Sequence, residues 1–353
     1  AVIHCLLKVN NTLLSRFYGH ETEMKFCMKE TSIEHEVRLV NNDDLEKETR
    51  RKLVEYGLIL ASDNVRLCPT HRVMIRGEWF SHFIVTCIHS RQTFFLKIVK
   101  ENDNFLLCNR FLQNLSIESA EYPYPKIVVP VFAFQGMNYY ITTYIEGQAL
   151  DTFPETLPQS TVNHIADRLL ELIEQLTNLK ASQYSERGIF VSDDCASILK
   201  KKLEARFLHP LIASYPHQKL ERAFNWCREI LDHSQFSQPT LIHMDIKPAN
   251  IIYNSETGFV SLIDFEFARF GDIDYGWIQI LLSGRNQFNQ FYTEQIVPRL
   301  TNNRVTLDDA LSIPKYQCYL FYQTMCNLIY YFDRHLPCPK GMEEIFEWFI
   351  LKM

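Results

Sequence analysis

Apolar and polar positions are patterned differently in the two halves of this 353-residue chain. Ahead of residue 147, short runs rich in Val, Ile, Phe, Tyr and Thr dominate: HRVMIRG, HFIVTCI, TFFLKIV, KIVVPVFAF and NYYITTYI. Such runs, separated by turn residues, predict strands. The first two flank a turn at Gly77–Ser81, and the last two are joined by a turn at Gln135–Asn138. Between the third and the fourth, NFLLCNRFLQNL has apolar residues at 105, 106, 107, 111, 112 and 115, a helical spacing opened by Asp103. Three strands, a helix and two more strands make a small half-open sheet. Upstream, DDLEKETRRKLVEYGL predicts an amphipathic helix with an Asp start and a Gly stop, and MKFCMKETSIEHEVRLV predicts short strands.

After Gly147 the period becomes helical. STVNHIADRLLELIEQLTNL predicts an amphipathic helix with a Ser/Thr cap, and KLERAFNWCREILDH predicts another. The aromatic-rich last eighty residues, with CYLFYQTMCNLIYYF, read as helical core. A sheet segment followed by a helical segment is an α+β arrangement.

Composition narrows the classes. At 46% hydrophobic residues the chain can bury a large core, and its length suits two or three lobes. Lys plus Arg total 36 against 42 acids, a balance that gives no support to nucleic-acid binding. The closest cysteines, Cys318 and Cys326, are eight positions apart, so no metal-ligand spacing occurs. Cys87 and Cys108 sit in apolar runs and read as buried thiols, which points to a reducing cytoplasm. No stretch approaches a membrane span, and AVIHCLLKVNN lacks the basic leader of a secretion signal.

Chemistry concentrates in LIHMDIKPANIIYNSETGFVSLIDFEFARFGDIDYG, residues 241–276. Ile251–Tyr253 and Phe259–Ile263 are β-favouring runs around the turn NSETG. An antiparallel hairpin places Asn250 beside Asp264, with backbones roughly 5 Å apart. An amide oxygen and a carboxylate at that separation suit Mg²⁺ bridging phosphates. Asp245, in the loop approaching the same end, is placed to accept the proton of an attacking hydroxyl.

His243-x-Asp245-x-x-x-x-Asn250, followed by Ile263-Asp264-Phe265, resembles the aminoglycoside phosphotransferase and choline kinase superfamily. The resemblance covers about residues 70–290. It implies a bilobal protein-kinase-like fold, with a small antiparallel-sheet N-lobe and a mainly helical C-lobe, using ATP or GTP with Mg²⁺. On it, Lys97 corresponds to the strand lysine on the α- and β-phosphates. Thr143 carbonyl and Ile145 amide would bond the base, and Gly77–Ser81 would be the phosphate-covering hairpin. Asn250 and Asp264 would hold the metal, and His243 would brace the loop. Lys247, in Asp-x-Lys-Pro-x-Asn, resembles the lysine of Ser/Thr protein kinases that meets the transferred phosphate. Glu266, Asp272 and Asp274 either hold a cationic substrate group or cap the next helix, the cap being preferred. Residues 71–146 would form the nucleotide-binding lobe and 147–353 the lobe that takes the acceptor. Residues 1–70 exceed the usual lead-in, as a flap, dimer contact or partner-binding piece.

Asp264 leads almost directly into the next helix, which leaves no platform for a peptide. The expected acceptor is therefore a small hydroxylated molecule: an antibiotic, an amino alcohol or a sugar. A non-catalytic nucleotide-binding module and a protein kinase are the alternatives. Two departures matter. The family's helix glutamate has no counterpart at Cys108, Asn109 or Gln113, so Lys97 is held differently or activity is low. GDIDYG ends in Gly276 where the family often has an acid that braces the loop.

Overall fold

The computed structural model describes residues 42–75, 78–99, 105–112, 123–153, 157–179, 195–283, 292–301, 304–333 and 340–352. The expected strands in MKFCMKETSIEHEVRLV, and Asp103, Gln113 and Gly77, lie outside them.

Helix α1, Asn42–Glu55, starts with Asp43 and Asp44 in its first turn and buries Leu45, Thr49 and Leu53, spaced four apart. Acids at a helix start complement its partial positive charge. Gly57, at φ +67°, turns the chain out of the helix. Strands β1 (Val65–Ile75), β2 (Glu78–Cys87), β3 (Thr93–Ile98), β4 (Ile127–Phe134) and β5 (Met137–Thr143) form one antiparallel sheet in the order β1-β2-β3-β5-β4. α1 packs on this sheet: Leu45, Leu53 and Ile59 share a core with Val85, Leu96 and Ile141. Glu46 also accepts the backbone N–H of Leu67 at 2.9 Å. The lobe boundary expected near residue 70 thus falls inside β1.

Ile75 pairs directly with Glu78. Ser81 lies inside β2 opposite Arg72, rather than in a turn spanning 77–81. Alternating apolar residues in HFIVTCI marked only part of β2, because the strand continues through polar positions once a partner strand satisfies its backbone. The β4–β5 turn is Gln135–Gly136, both at positive φ, the conformation that two-residue hairpins favour.

Helix α2 (Phe105–Leu112) lies between the sheet and the second half: Phe105, Cys108 and Leu112 join the core of the helical part. Gly147 sits in the connection with φ +133°, where an added Cβ would come within 2.8 Å of Ile252 and the Tyr253 carbonyl. Only glycine fits that approach. Strand β6 (Gln148–Ala149) then pairs with β8 (Ile251–Tyr253), which pairs with β9 (Val260–Leu262).

Helix α3, Gln159–Thr177, buries Val162, Ile165, Ala166, Leu169, Leu172, Ile173 and Leu176 on one stripe. Its N-cap is Pro158 with no side-chain cap bond, so the expected Ser/Thr cap is not used. Helices α4 (Cys195–Phe207), α5 (Pro210–Ala213) and α6 (His217–His233) follow, then β7 (Thr240–Ile242), which pairs with β10 (Arg269–Gly271). Helices α7 (Ile273–Ser283), α8 (Val297–Thr301), α9 (Leu307–Ser312), α10 (Pro314–Asp333) and α11 (Lys340–Lys352) complete the fold. The aromatic stripe of α10 is core, with Tyr319, Phe321 and Tyr322 buried. Cys87 and Cys108 are buried free thiols. Among the described residues, no helix is long and apolar enough to cross a membrane.

Candidate active site

The β8–β9 hairpin forms as its sequence predicts. Ile251 pairs with Leu262, and the Ile263 N–H donates to the Asn250 carbonyl at 3.0 Å, extending the ladder by one step. That bond sets Asn250 beside Asp264. The Asn250 amide donates to the Asp245 carboxylate at 2.8 Å and to the Asp245 carbonyl at 2.9 Å. With its nitrogen committed to Asp245, the Asn250 side-chain oxygen points away from that acid. Asp245 also pairs with the Lys247 ammonium at 2.8 Å. Burial, the largest single influence, would lower the Lys247 pKa, but Asp245 together with Asp264 and Glu266 outweighs it and raises the value above the usual lysine range.

His243 is 1% exposed. Its Nδ1 accepts the Asp245 N–H at 3.3 Å, which fixes the proton on Nε2, and Nε2 donates to the Ile263 carbonyl at 2.9 Å. Burial depresses its pKa, so the ring stays neutral and ties the loop to the hairpin. It also packs against Phe265 with centroids 4.4 Å apart. A brace is what this geometry describes. Tyr292 supports the loop from beneath, donating to the Ile246 carbonyl at 3.3 Å.

Met244 and Asp264 both take φ +66°. A left-handed conformation costs a non-glycine residue roughly 1–2 kcal/mol. The strain sits next to Asp245 and at Asp264, at the two acids of the candidate site.

Lys97 projects from β3, opposite Tyr140 of β5. Its ammonium pairs with the Asp264 carboxylate, across 167 positions of sequence. That pair gives Lys97 an acid partner on the hairpin. Cys108, on α2, hydrogen-bonds the Ala268 carbonyl at 3.5 Å, and the Asn109 oxygen accepts the Ile127 N–H at 3.1 Å. Both positions are spent on packing α2 against the Asp264 turn and β4, and the lysine is held by the acid after β9. Thr143 ends β5, its hydroxyl accepting the Lys126 N–H at 3.0 Å, and Ile145 follows in the connection to the helical half.

The acids after Asp264 are engaged within the fold. Asp272, 3% exposed, accepts the Asp274 N–H at 3.1 Å and so caps α7. It also accepts from Ser237 at 2.9 Å, Tyr319 at 2.6 Å and Lys315 at 3.1 Å. Asp274 pairs with the same Lys315 at 2.5 Å. Glu266 is buried in the turn Phe265–Phe267 and contributes to the negative surroundings of Lys247.

Gly276 also has a packing explanation. An added Cβ would lie 2.7 Å from Cγ2 of Ile242, the last residue of β7. α7 rests directly on the strand that leads into the Asp245–Asn250 loop, and an acid at 276 would separate them. Three cations escaped the sequence reading: Lys202, Arg206 and Arg269. The spacing of Lys202 and Arg206 on one helix face was the available signal; nothing local linked them to Arg269.

A family model described as "Phosphotransferase enzyme family" matches residues 83–295. Ethanolamine kinase 1 of Homo sapiens is 26% identical over a stretch covering 43% of this chain and 39% of that protein. The mouse protein of the same name is 27% identical, with 42% and 39% covered, so the matched stretch is about two-fifths of these relatives. A thermostable mutant of aminoglycoside phosphotransferase APH(4)-Ia, in ternary complex with ADP and hygromycin B, superposes with a TM-score of 0.58 at 14% identity, over 88% of this chain and 96% of that one. The GDP complex of aminoglycoside 2'-phosphotransferase-IIIa gives 0.54 at 15% identity, over 87% and 99%. These likenesses show the protein-kinase-like fold: an antiparallel-sheet lobe on a mainly helical one. With lysine strand, Asp245–Asn250 loop and Asp264 hairpin all inside the matched region, the chain belongs to the phosphotransferase enzyme family.

Proposed function

We propose that this chain transfers the γ-phosphoryl of ATP or GTP to a hydroxyl of a small molecule. One observation carries the reading: Asp245, Lys247, Asn250 and the Lys97–Asp264 pair converge at one end of the β8–β9 hairpin. In this reading residues 71–146 hold the nucleotide, with Lys97 on its phosphates, Thr143 and Ile145 at its base and Gly77 and Ser81 in the overlying hairpin. Residues 147–353 take the acceptor.

Asn250 and Asp264 supply one amide and one carboxylate oxygen, which fits Mg²⁺ when phosphate oxygens and water complete its shell. Bound there, the ion would offset the charge of the transferring group. The chain's own residues do the rest. Asp245 accepts the acceptor's proton as its oxygen attacks the γ-phosphorus; a new O–P bond forms and the bond to the β,γ-bridging oxygen breaks. ADP or GDP leaves, and the proton passes from Asp245 to solvent. Lys247, released from Asp245, is a cation beside the equatorial oxygens. Lys97 exchanges Asp264 for the α- and β-phosphates.

Ethanolamine kinase, and a relative of this fold bound to ADP with hygromycin B, support a hydroxylated acceptor of modest size. Residues 265–272 alone separate Asp264 from α7, which disfavours a peptide acceptor. The buried free thiols suit a reducing compartment such as the cytoplasm.

The test is nucleotide consumption with Mg²⁺ across antibiotics, amino alcohols and sugars, beside Asp245→Ala. We expect Asp245→Ala to lower kcat by about 10³-fold while nucleotide binding persists. Nucleotide binding without turnover of any acceptor would favour a binding module, and undiminished turnover in the variant would remove Asp245 from the mechanism.

A further inference from the structure

Most buried or half-buried lysines named so far face a carboxylate: Lys97 meets Asp264, Lys247 meets Asp245, and Lys315 meets Asp272 and Asp274. One cluster in the helical half breaks that pattern. Lys202 and Arg206 lie four apart on α4, so they share a face, where like charges repel. Arg269, on β10, adds a third cation to the same cluster. Among the described residues none of the three is paired with a carboxylate.

Their partners are neutral. Arg206 lies beside Tyr322 and Cys326, themselves four apart on α10. Arg269 lies over the Tyr275 ring, 5.5 Å from its centroid. The Tyr275 hydroxyl proton is directed elsewhere, to the Gln323 oxygen at 2.6 Å. These neighbours are hydroxyls, a thiol and a ring, none of them a carboxylate that would neutralise the two guanidinium groups. Burial first, and Arg269 next, push the Lys202 pKa down to about 8. An ammonium so placed is poorly solvated and next to like charge, an arrangement that an anion relieves. Planar guanidinium forks suit a phosphate or carboxylate through paired N–H bonds.

The place is also telling. Arg269 stands directly opposite Ile242, three residues ahead of Asp245. α4 and α10 belong to the half that would take the acceptor.

We propose that Lys202, Arg206 and Arg269 form a receptor for an anionic group on the acceptor, so that the substrate is a phosphorylated or carboxylated alcohol rather than an amine. This rests on the kinase reading above and leaves its bond changes as written; the cluster only anchors the far end of the acceptor.

The test uses the full chain and Lys202→Met/Arg269→Met, with two arms. In the first, AMP-PNP and Mg²⁺ fill the nucleotide pocket and inorganic phosphate is titrated by calorimetry. Wild type should bind phosphate about tenfold or more tightly than the variant. In the second, a polyol, its monophosphate, its carboxylic acid and its amine are compared as acceptors. The anionic members should exceed the neutral parent in kcat/KM by about tenfold or more, mostly through KM, and lose that advantage in the variant.

Equal phosphate binding by both proteins overturns the site. Variant-sensitive phosphate binding with a preference for neutral or amine acceptors overturns the acceptor assignment and leaves a receptor for free anion. If no acceptor reacts, the phosphate arm decides alone. Failure to bind AMP-PNP counts against the kinase reading instead. Removing unneutralised cations should hold or raise Tm; should the double variant melt lower, Lys202→Gln takes its place.

Discussion

Four carboxylates divide the molecule into two regimes. Asp63 and Asp272 are 2% and 3% exposed, and backbone amides bond each of them from within the fold. Asp63 takes the His89 N–H at 2.9 Å and the Ser90 N–H at 3.2 Å, closing the β2–β3 turn. Asp272 takes Ser237, Tyr319, Lys315 and the Asp274 N–H. Asp245 and Asp264 are different: their side chains are 17% and 26% exposed, and an ammonium on a flexible stem pairs with each, beside the Asn250 amide at Asp245. Backbone amides and a rigid phenol have nowhere else to go, whereas a lysine can swing to a phosphate. The first pair holds the fold together; the second is ready to exchange partners.

Breaking the exchangeable pair should be the most severe for function. Asp264→Ala removes the carboxylate proposed for the metal and should lower turnover by about 10⁴-fold. Fluorescent-nucleotide titration should show that Mg²⁺ no longer strengthens binding. Unchanged Mg²⁺ dependence would place the ion elsewhere.

Asp272→Ala attacks the fixed regime. It leaves Lys315 with Asp274 as its one carboxylate among the described residues, and the Tyr319 hydroxyl buried without its acceptor. Loss of such a buried partner costs about 3–5 kcal/mol. Denaturant unfolding should show that loss, and activity per folded molecule should fall far less than in Asp264→Ala. An activity loss without a stability loss would move Asp272 into the exchangeable class.

Asp63 should show itself through pH. Hydrogen bonds from the Ser90 hydroxyl and the His89 amide hold its carboxyl well below the usual carboxylate range. A folded-state pKa below the unfolded value of about 3.9 gives stability that is present above that pH and lost as pH falls beneath it. Asp63→Asn should therefore melt lower than wild type at pH 7, and the gap should narrow towards pH 3. A gap independent of pH would mean that Asp63 acts by shape alone.

The same division explains what could be read in advance. Asn250 and Asp264 were legible because two short β runs and an Asn-to-Gly turn fix each other within fifteen residues. The β4–β5 hairpin was legible for the same reason. The first hairpin was misjudged at Ser81, where polar residues continue the strand. The Ser/Thr cap of α3 was misjudged because Pro158 already starts the helix.

By itself, then, the sequence determined a strand-rich lobe, a helical lobe, the order of the motifs between them and the hairpin that brings Asn250 to Asp264. Each rests on residue chemistry acting over a few positions. Three things were decided only in three dimensions: the Lys97–Asp264 pair, Gly276 against Ile242, and the meeting of Lys202 and Arg206 with Arg269 and α10. In each, the partners lie tens of residues or more apart and carry no shared pattern. Only the packing of α2, α4, α7 and α10 around the hairpin sets which charges meet an opposite charge and which do not.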